Sequence, residues 1–301
     1  MPDPRGPNLY SIAAHRGFAD ALVAGLVPRY SEPDLGLARL TLLLPSRRAV
    51  RSVTEAFIRH SGTTGTPALL LPRMAVAGDL DLDETLGALL DPMGAGAQIA
   101  PAADPLRRWL RLADHLQQVE GTNARHGAAL LRQAREIGEA MDRLLVEGVD
   151  PGDLLSDRII GIVAELADHW RAATGTFLKV RQHWKAEMAV RGEQDAPARR
   201  NALFDLAART WRENPPEHPI VAAGVTSASP ALARLLRAVA DLPRGAVILP
   251  DLDLSLDAAV WDSLGLAGKP ESHDGAPFGA RDAVAHPQYH LKLLLNRMGV
   301  S

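Results

Sequence analysis

The first residues whose types and spacing bear on chemistry lie in "LYSIAAHRGFADALVAGL" (residues 9–26). The order there is apolar run, short loop, helical pattern, which is where a phosphate-binding loop sits. Such a loop needs G-x-x-x-x-G-K-[ST]. Its glycines let backbone N–H groups approach phosphate, its Lys neutralises the outer phosphates and its Ser or Thr holds Mg²⁺. Gly17 takes the second glycine position here. Phe18 then stands where the Lys belongs, Ala19 where the Ser or Thr belongs, and Ile12 at the first glycine. The loop is expected to keep the shape of a nucleotide site without the residues that use one. The plainer alternative is a first βα unit with no ligand. Gly268-Lys269 runs into Pro270 and is no substitute.

A second candidate is "TLLLPSRRAVRSVTEAF". Arg47 and Arg48 fall in the first turn of a helix that follows a buried strand, and Arg51 continues their face one turn on. Helix N-termini favour anions, so cations there are unfavourable unless an anion compensates. DNA phosphate is one such anion; solvated surface charge is the rival explanation. A third candidate is "IVAAGVTSASPALARLL", where Thr226, Ser227 and Ser229 follow another strand and can hydrogen-bond a nucleic-acid backbone, the rival explanation being a helix N-cap and turn without a ligand. Ala222, Ala223 and Gly224 stand where an active helicase-type ATPase would carry acids for Mg²⁺. The stretch is not G-x-S-x-G, so it offers no nucleophile elbow.

Weaker signals complete the inventory. His286 and His290 lie four apart in "HPQYH", with Pro287 suited to a first helical turn, but no H-E-x-x-H motif is present. Asp251 and Asp253 end a strand without an identifiable partner carboxylate. Asp79, Asp81, Asp83 and Glu84 lack the glycine and spacing of a calcium loop and read as a solvated linker. Trp109, Trp170, Trp184 and Trp211 recur at helical spacing, which suits core packing, with base stacking as the sharper alternative. These patterns predict neither a catalytic residue nor a metal site.

The elements that must position these residues follow from periodicity. Strand-like runs at 8–13, 38–45 and 67–75 alternate with helical patterns at 17–30 and 46–62. Phe18, Leu22, Gly25 and Leu26 are expected to share a face of the first helix; Ser46 and Gly62 are read as the caps of the second. The run "ARLTLLLP" is apolar throughout, as in a parallel strand covered on both sides. Residues 78–104 read as an acidic, Gly- and Pro-rich connector. From about 105 to 212 the pattern is helical only. Strand–loop–helix returns at 220–242, followed by "GAVILPDLD" (245–253). The expected fold is α/β: a P-loop-NTPase-like parallel sheet flanked by helices. Its core spans 1–100 plus 213–301, split by a helical insertion at 101–212.

Composition narrows the classes. The 301 residues carry a net charge of −3, with 47% hydrophobic and 23% charged residues, so no overall bias toward nucleic acid or membrane appears. With no cysteine, the chain holds no disulfide, thiolate nucleophile, cysteine-bound zinc or iron–sulfur cluster. Lysine occurs only at 179, 185, 269 and 292. The opening "MPDPRGPNLY" lacks the apolar core of a signal peptide, and no apolar run approaches the ~18 residues of a spanning helix. The expected location is the cytoplasm.

Several blocks in order resemble one family. "LYSIAAHRGFADALVAGL", "LTLLLPSRRAVRSVTEAFIR", "ARRNALFDLAARTW", "PIVAAGVTSASPALARLLRAVADLPRGAVILPDLD" and "HPQYHLKLLL" look like the N-terminal, helicase-like region of the AddB subunit of bacterial AddAB helicase–nucleases. The resemblance spans nearly the whole chain and rests on no single diagnostic motif. It implies a superfamily-1 helicase core whose helical insert is an inner subdomain. It further implies a role in double-strand break repair, with end resection and Chi recognition alongside an AddA-type helicase–nuclease subunit. Some members keep a P-loop; this chain departs from it at Phe18 and Ala19, and departs again at Ala223, where the strand's terminal Asp would be. That implies a degenerate motor serving as a DNA-binding scaffold, single-stranded or end-processed duplex DNA being the ligand. Arg16, Arg47, Arg48 and Arg51 would meet phosphate, with Thr226 and Ser227 hydrogen-bonding the backbone. ATP, Mg²⁺ and the family's iron–sulfur cluster are expected elsewhere in the complex, and Ser301 is expected to end a fragment. The rival readings are a stand-alone α/β enzyme acting on a small phosphorylated ligand, and a pure assembly surface for the partner subunit.

Overall fold

A computed structural model describes residues 6–64, 70–77, 84–90, 98–163, 166–269 and 282–300. Its elements in chain order are β1 (Leu9–Ile12), α1 (Phe18–Tyr30), β2 (Thr41–Leu44), α2 (Arg47–Thr64), β3 (Arg73–Val76) and α3 (Glu84–Leu90). Then come α4 (Pro105–Glu120), α5 (Ala128–Glu147), α6 (Asp157–Ile162), α7 (Ala167–Arg191) and α8 (Ala196–Glu213). The chain closes with β4 (Ile220–Ala223), α9 (Pro230–Asp241), β5 (Gly245–Pro250), α10 (Ala258–Ser263) and α11 (Tyr289–Met298). Contacts divide it into two compact units, Met1–Gly96 with Leu203–Ser301, and Ala97–Ala202.

The first unit is α/β. Its five strands are all parallel, in the order β1-β5-β4-β2-β3. Side chains of a strand alternate between faces. Leu42, Leu44, Val221, Ala223 and Ala246 join Leu22, Val23 and Leu26 of α1 and Val53, Ala56 and Phe57 of α2 in one core cluster. Leu43, Ala222 and Val247 point the other way and are equally buried. Crossovers between parallel strands are right-handed. The chain steps from β1 through β2 to β3 in one direction and from β4 to β5 in the other, so α9 covers the face opposite α1 and α2. The connections therefore reverse between neighbours β2 and β4, which is a topological switch point.

Some local expectations change. Gly25 is exposed and Val23 is buried instead, because the buried stripe of α1 runs Leu22, Val23, Leu26. Helix α2 continues past Gly62 to Thr64, so Gly62 is interior and not a cap. Part of the expected connector is helical, since Leu86 and Leu90, four apart on α3, are both buried. Asp79, Asp81 and Asp83 lie outside the described residues. Pro287 precedes α11, which opens only at Tyr289.

The second unit is all helical. Leu112 and Leu116 of α4, Met141 of α5, and Phe177, Val180 and Trp184 of α7 share its core. Asp104 caps α4 by accepting the Arg107 N–H at 2.7 Å, and Pro105 takes the first helical position, where no N–H is missed. Among the described residues no helix is long and apolar enough to cross a membrane.

Candidate functional site

Ligands of open α/β sheets bind at the carboxyl ends of the strands, where the loops after β1, β2, β4 and β5 emerge. Side chains of the loop after β1 turn into the core. Ile12 is still in the strand. Phe18 and Ala19 are half-buried and pack onto the core cluster, so the positions that would hold Lys and Ser or Thr face apolar groups. The Phe18 ring also lies against Gly224, at the end of β4. A carboxylate already occupies the N-terminus of α1. Asp20 Oδ2 stands 3.3 Å from where a Cβ on Gly17 would be, and Asp20 Oδ1 accepts Arg59 Nη2 at 2.7 Å. An acid in a first turn satisfies the helix dipole that a phosphate would otherwise meet.

The strand ends at the β2/β4 switch point differ. Ser46 Oγ caps α2 by accepting the Ala49 N–H at 3.2 Å. No acid lies in the first turn of α2 or of α9. Arg47, Arg48 and Arg51 are exposed and make no ion pair with a described residue. The loop after β4 exposes Thr226 and Ser227. Its end is tied down where the Arg297 guanidinium donates to the Ala228 carbonyl. Ser229 precedes α9 without capping it; its hydroxyl is buried and bonds to no described group. Arg47, Arg48 and Arg51 thus follow β2, and Thr226 and Ser227 follow its neighbour β4. Arg16 is exposed on the loop after β1, two residues before the Phe18 that lies against Gly224.

The loop after β5 holds a feature that sequence spacing misses. Asp251 has φ +54°, a conformation that costs an Asp less than most residues but still strains it. Long-range bonds fix it. Its N–H donates to the Ile12 carbonyl at 2.8 Å, and Gln288 Nε2 donates to its carbonyl at 2.9 Å. Gln288 Oε1 accepts the Asp253 N–H at 3.1 Å, and Ser11 Oγ accepts the Leu252 N–H at 3.0 Å. Ser255 donates to the Asp253 carboxylate through both Oγ and N–H, holding that carboxyl below its usual range. His286 Nδ1 accepts the Gln288 N–H at 3.2 Å, and His290 lies edge-on to Tyr289. No group of three or more His, Asp or Glu with metal-binding geometry occurs among the described residues.

Of the four candidate tryptophans, Trp109, Trp184 and Trp211 pack with core residues. Trp184 and Trp211 are buried. Trp109 and Trp170 are half-buried, their indole N–H groups donating to the Leu131 and Leu154 carbonyls, each at 2.7 Å. In the helical unit, Trp184 Nε1 donates to Asp195 Oδ1 at 2.9 Å, and the same oxygen lies 2.8 Å from Arg108 Nε. A second polar cluster joins buried His115 of α4 to Glu187 of α7 at 3.0 Å, with Arg111 donating to Glu187 at 2.9 Å. Neither cluster was among the sequence candidates, because its members lie far apart in the chain.

No family model matches this chain, and no curated protein matches its sequence.

Proposed function

We propose that this chain is the helicase-like segment of an AddB-type double-strand break repair subunit, holding DNA by its phosphates and hydrolysing no nucleotide itself. The all-parallel sheet is compatible with a P-loop-like, superfamily-1 core. One observation carries the DNA reading. Arg47, Arg48 and Arg51 are exposed without described ion-pair partners at the N-terminus of α2, beside a switch point with no first-turn acid on either helix. A phosphodiester satisfies those cations and the helix N-termini together. Thr226 and Ser227 add hydrogen bonds to the same strand, and an AddA-type subunit supplies the motor and nuclease. Phe18, Ala19 and Asp20 argue against hydrolysis at the first loop.

Fluorescence anisotropy with dye-labelled oligo(dT) across a salt series tests this reading. Binding to single-stranded DNA weakens with a log–log slope of about −0.7 per phosphate neutralised. The Arg47→Ala/Arg48→Ala double variant therefore lowers affinity and flattens the slope by about 1.4. Absent or salt-insensitive binding by the folded chain overturns the proposal. A thermal shift with a sugar phosphate, lost in the same variant and unaccompanied by DNA binding, moves the assignment to a small phosphorylated ligand.

A further inference from the structure

Within the helical unit, α5, α7 and the start of α8 border a groove of about 280 Å³ that is open to solvent on one side. Met141, Leu145 and Met188 give it an apolar floor. Its charged residues fall into two sets. The acids are already neutralised from within the unit: Glu193 is paired with Arg107, and Asp195 with Arg108 and the Trp184 indole. The cations are not. Arg181 and Lys185, four apart on α7 and so on one face, make no ion pair or side-chain hydrogen bond with a described residue. The groove is thus apolar below and positive at its edge.

We propose that this groove docks an acidic amphipathic helix of a partner protein. Its apolar side chains sit on Met141, Leu145 and Met188, and its carboxylates pair with Arg181 and Lys185. Helix-in-groove recognition needs an apolar trough for one stripe of side chains. Leu145 is the half-buried side chain of that trough, with Met141 and Met188 packed as core residues beneath it. The unpaired cations select the sign of the partner and steer its approach. Nucleic acid fits less well. The Trp184 ring is fully buried and its N–H is used, so no aromatic face is offered to a base. The open side also favours a peptide over a small molecule, which a site normally encloses. The inference stands independently of the DNA reading, since none of its residues belongs to the sheet edge.

The test uses the 301-residue chain and short dye-labelled helical peptides that share one leucine stripe and differ only in carrying Glu, Gln or Lys on the polar face. In anisotropy titrations the Glu peptide binds at least about tenfold tighter than the Lys peptide, a difference worth roughly 1.4 kcal/mol. Reversing both cations (Arg181→Glu/Lys185→Glu) inverts that order. Ala189→Trp, a substitution at an exposed position on the groove wall, blocks binding of the Glu peptide without a change in far-UV circular dichroism. No binding by the Glu peptide overturns the proposal, as does equal binding of all three or binding that persists in Ala189→Trp. Oligo(dT) lost in the charge-reversal variant while the peptides stay unbound assigns the groove to nucleic acid. A change of oligomeric state in Ala189→Trp without peptide binding assigns it to a second copy of the chain.

Discussion

Phe18 and Gly224 meet across the carboxyl ends of β1 and β4: a Cβ on Gly224 would stand 3.2 Å from Phe18 Cε1 and 3.8 Å from Pro45 Cδ. Gly224 has φ +72°, and its N–H donates to the Ile248 carbonyl at 2.9 Å. Two demands therefore fall on one residue: a left-handed backbone and room for a ring. A side chain fails both. Gly224→Ala should destabilise the chain by about 2 kcal/mol, from the left-handed conformation and the displaced ring together. Gly25 supplies the control. It is exposed inside α1 with nothing within 4 Å of an added Cβ, so Gly25→Ala should stabilise by roughly 0.5–1 kcal/mol. Urea midpoints of the two variants should move in opposite directions. Equal shifts would mean that the Phe18 contact does not constrain position 224.

The Trp184–Asp195–Arg108 cluster yields a second prediction. Asp195 accepts from the buried indole at 2.9 Å and lies 2.8 Å from Arg108 Nε. Asp195→Ala strands a buried N–H and leaves a largely buried guanidinium with one carboxylate, Asp142 at 2.9 Å, and the Gly138 carbonyl at 3.3 Å. Removing one partner of a buried ion pair costs about 3 kcal/mol. Trp184→Phe keeps the ion pair and most of the apolar volume, so its loss should be smaller. Chemical unfolding of the two variants ranks them. A larger loss in Trp184→Phe would show that packing, rather than charge, dominates the cluster.

The two predictions differ in how far sequence could anticipate them. The parallel sheet was legible because its strands are short apolar runs, "TLLLP" and "GAVILP" above all, each bounded by a breaker and followed or preceded by a 3.6-residue pattern. Ser46 was legible as a cap because a cap interacts within three residues of itself. What escaped was long-range. Gln288 bonds the Asp251–Asp253 backbone across some 35 residues, and Glu187 meets His115 across 72. No periodicity encodes such pairings. That position 18 is not a lysine was plain in the sequence, but the Phe18 ring could be located against Gly224 only once β1 and β4 were seen with β5 between them in the sheet. Gly62 misled for the opposite reason: a glycine near a helix end resembles a stop, yet α2 carries on through it to Thr64.

Glu187 links the helical unit to pH. Burial pushes its carboxyl up, but the Arg111 guanidinium and His115 draw it down further, and the net position is below the usual glutamate range. Arg191 adds a contact at 3.3 Å. Arg111 is correspondingly held more firmly protonated by its hydrogen bond to Glu187. The sign follows from proton binding. Below an unfolded carboxyl pKa of about 4.3, the unfolded chain takes up the proton before the native one does. The stabilisation is therefore complete above that value and is lost as pH falls through the lower native one. Glu187→Gln abolishes this titration. Its denaturant midpoint should lie below that of the unmodified chain at pH 7, and the gap should narrow as the buffer is acidified below about pH 4. Parallel midpoint-against-pH curves for the two proteins would show that Glu187 titrates alike in the folded and unfolded chains and that its pairing with Arg111 and Arg191 adds nothing to stability.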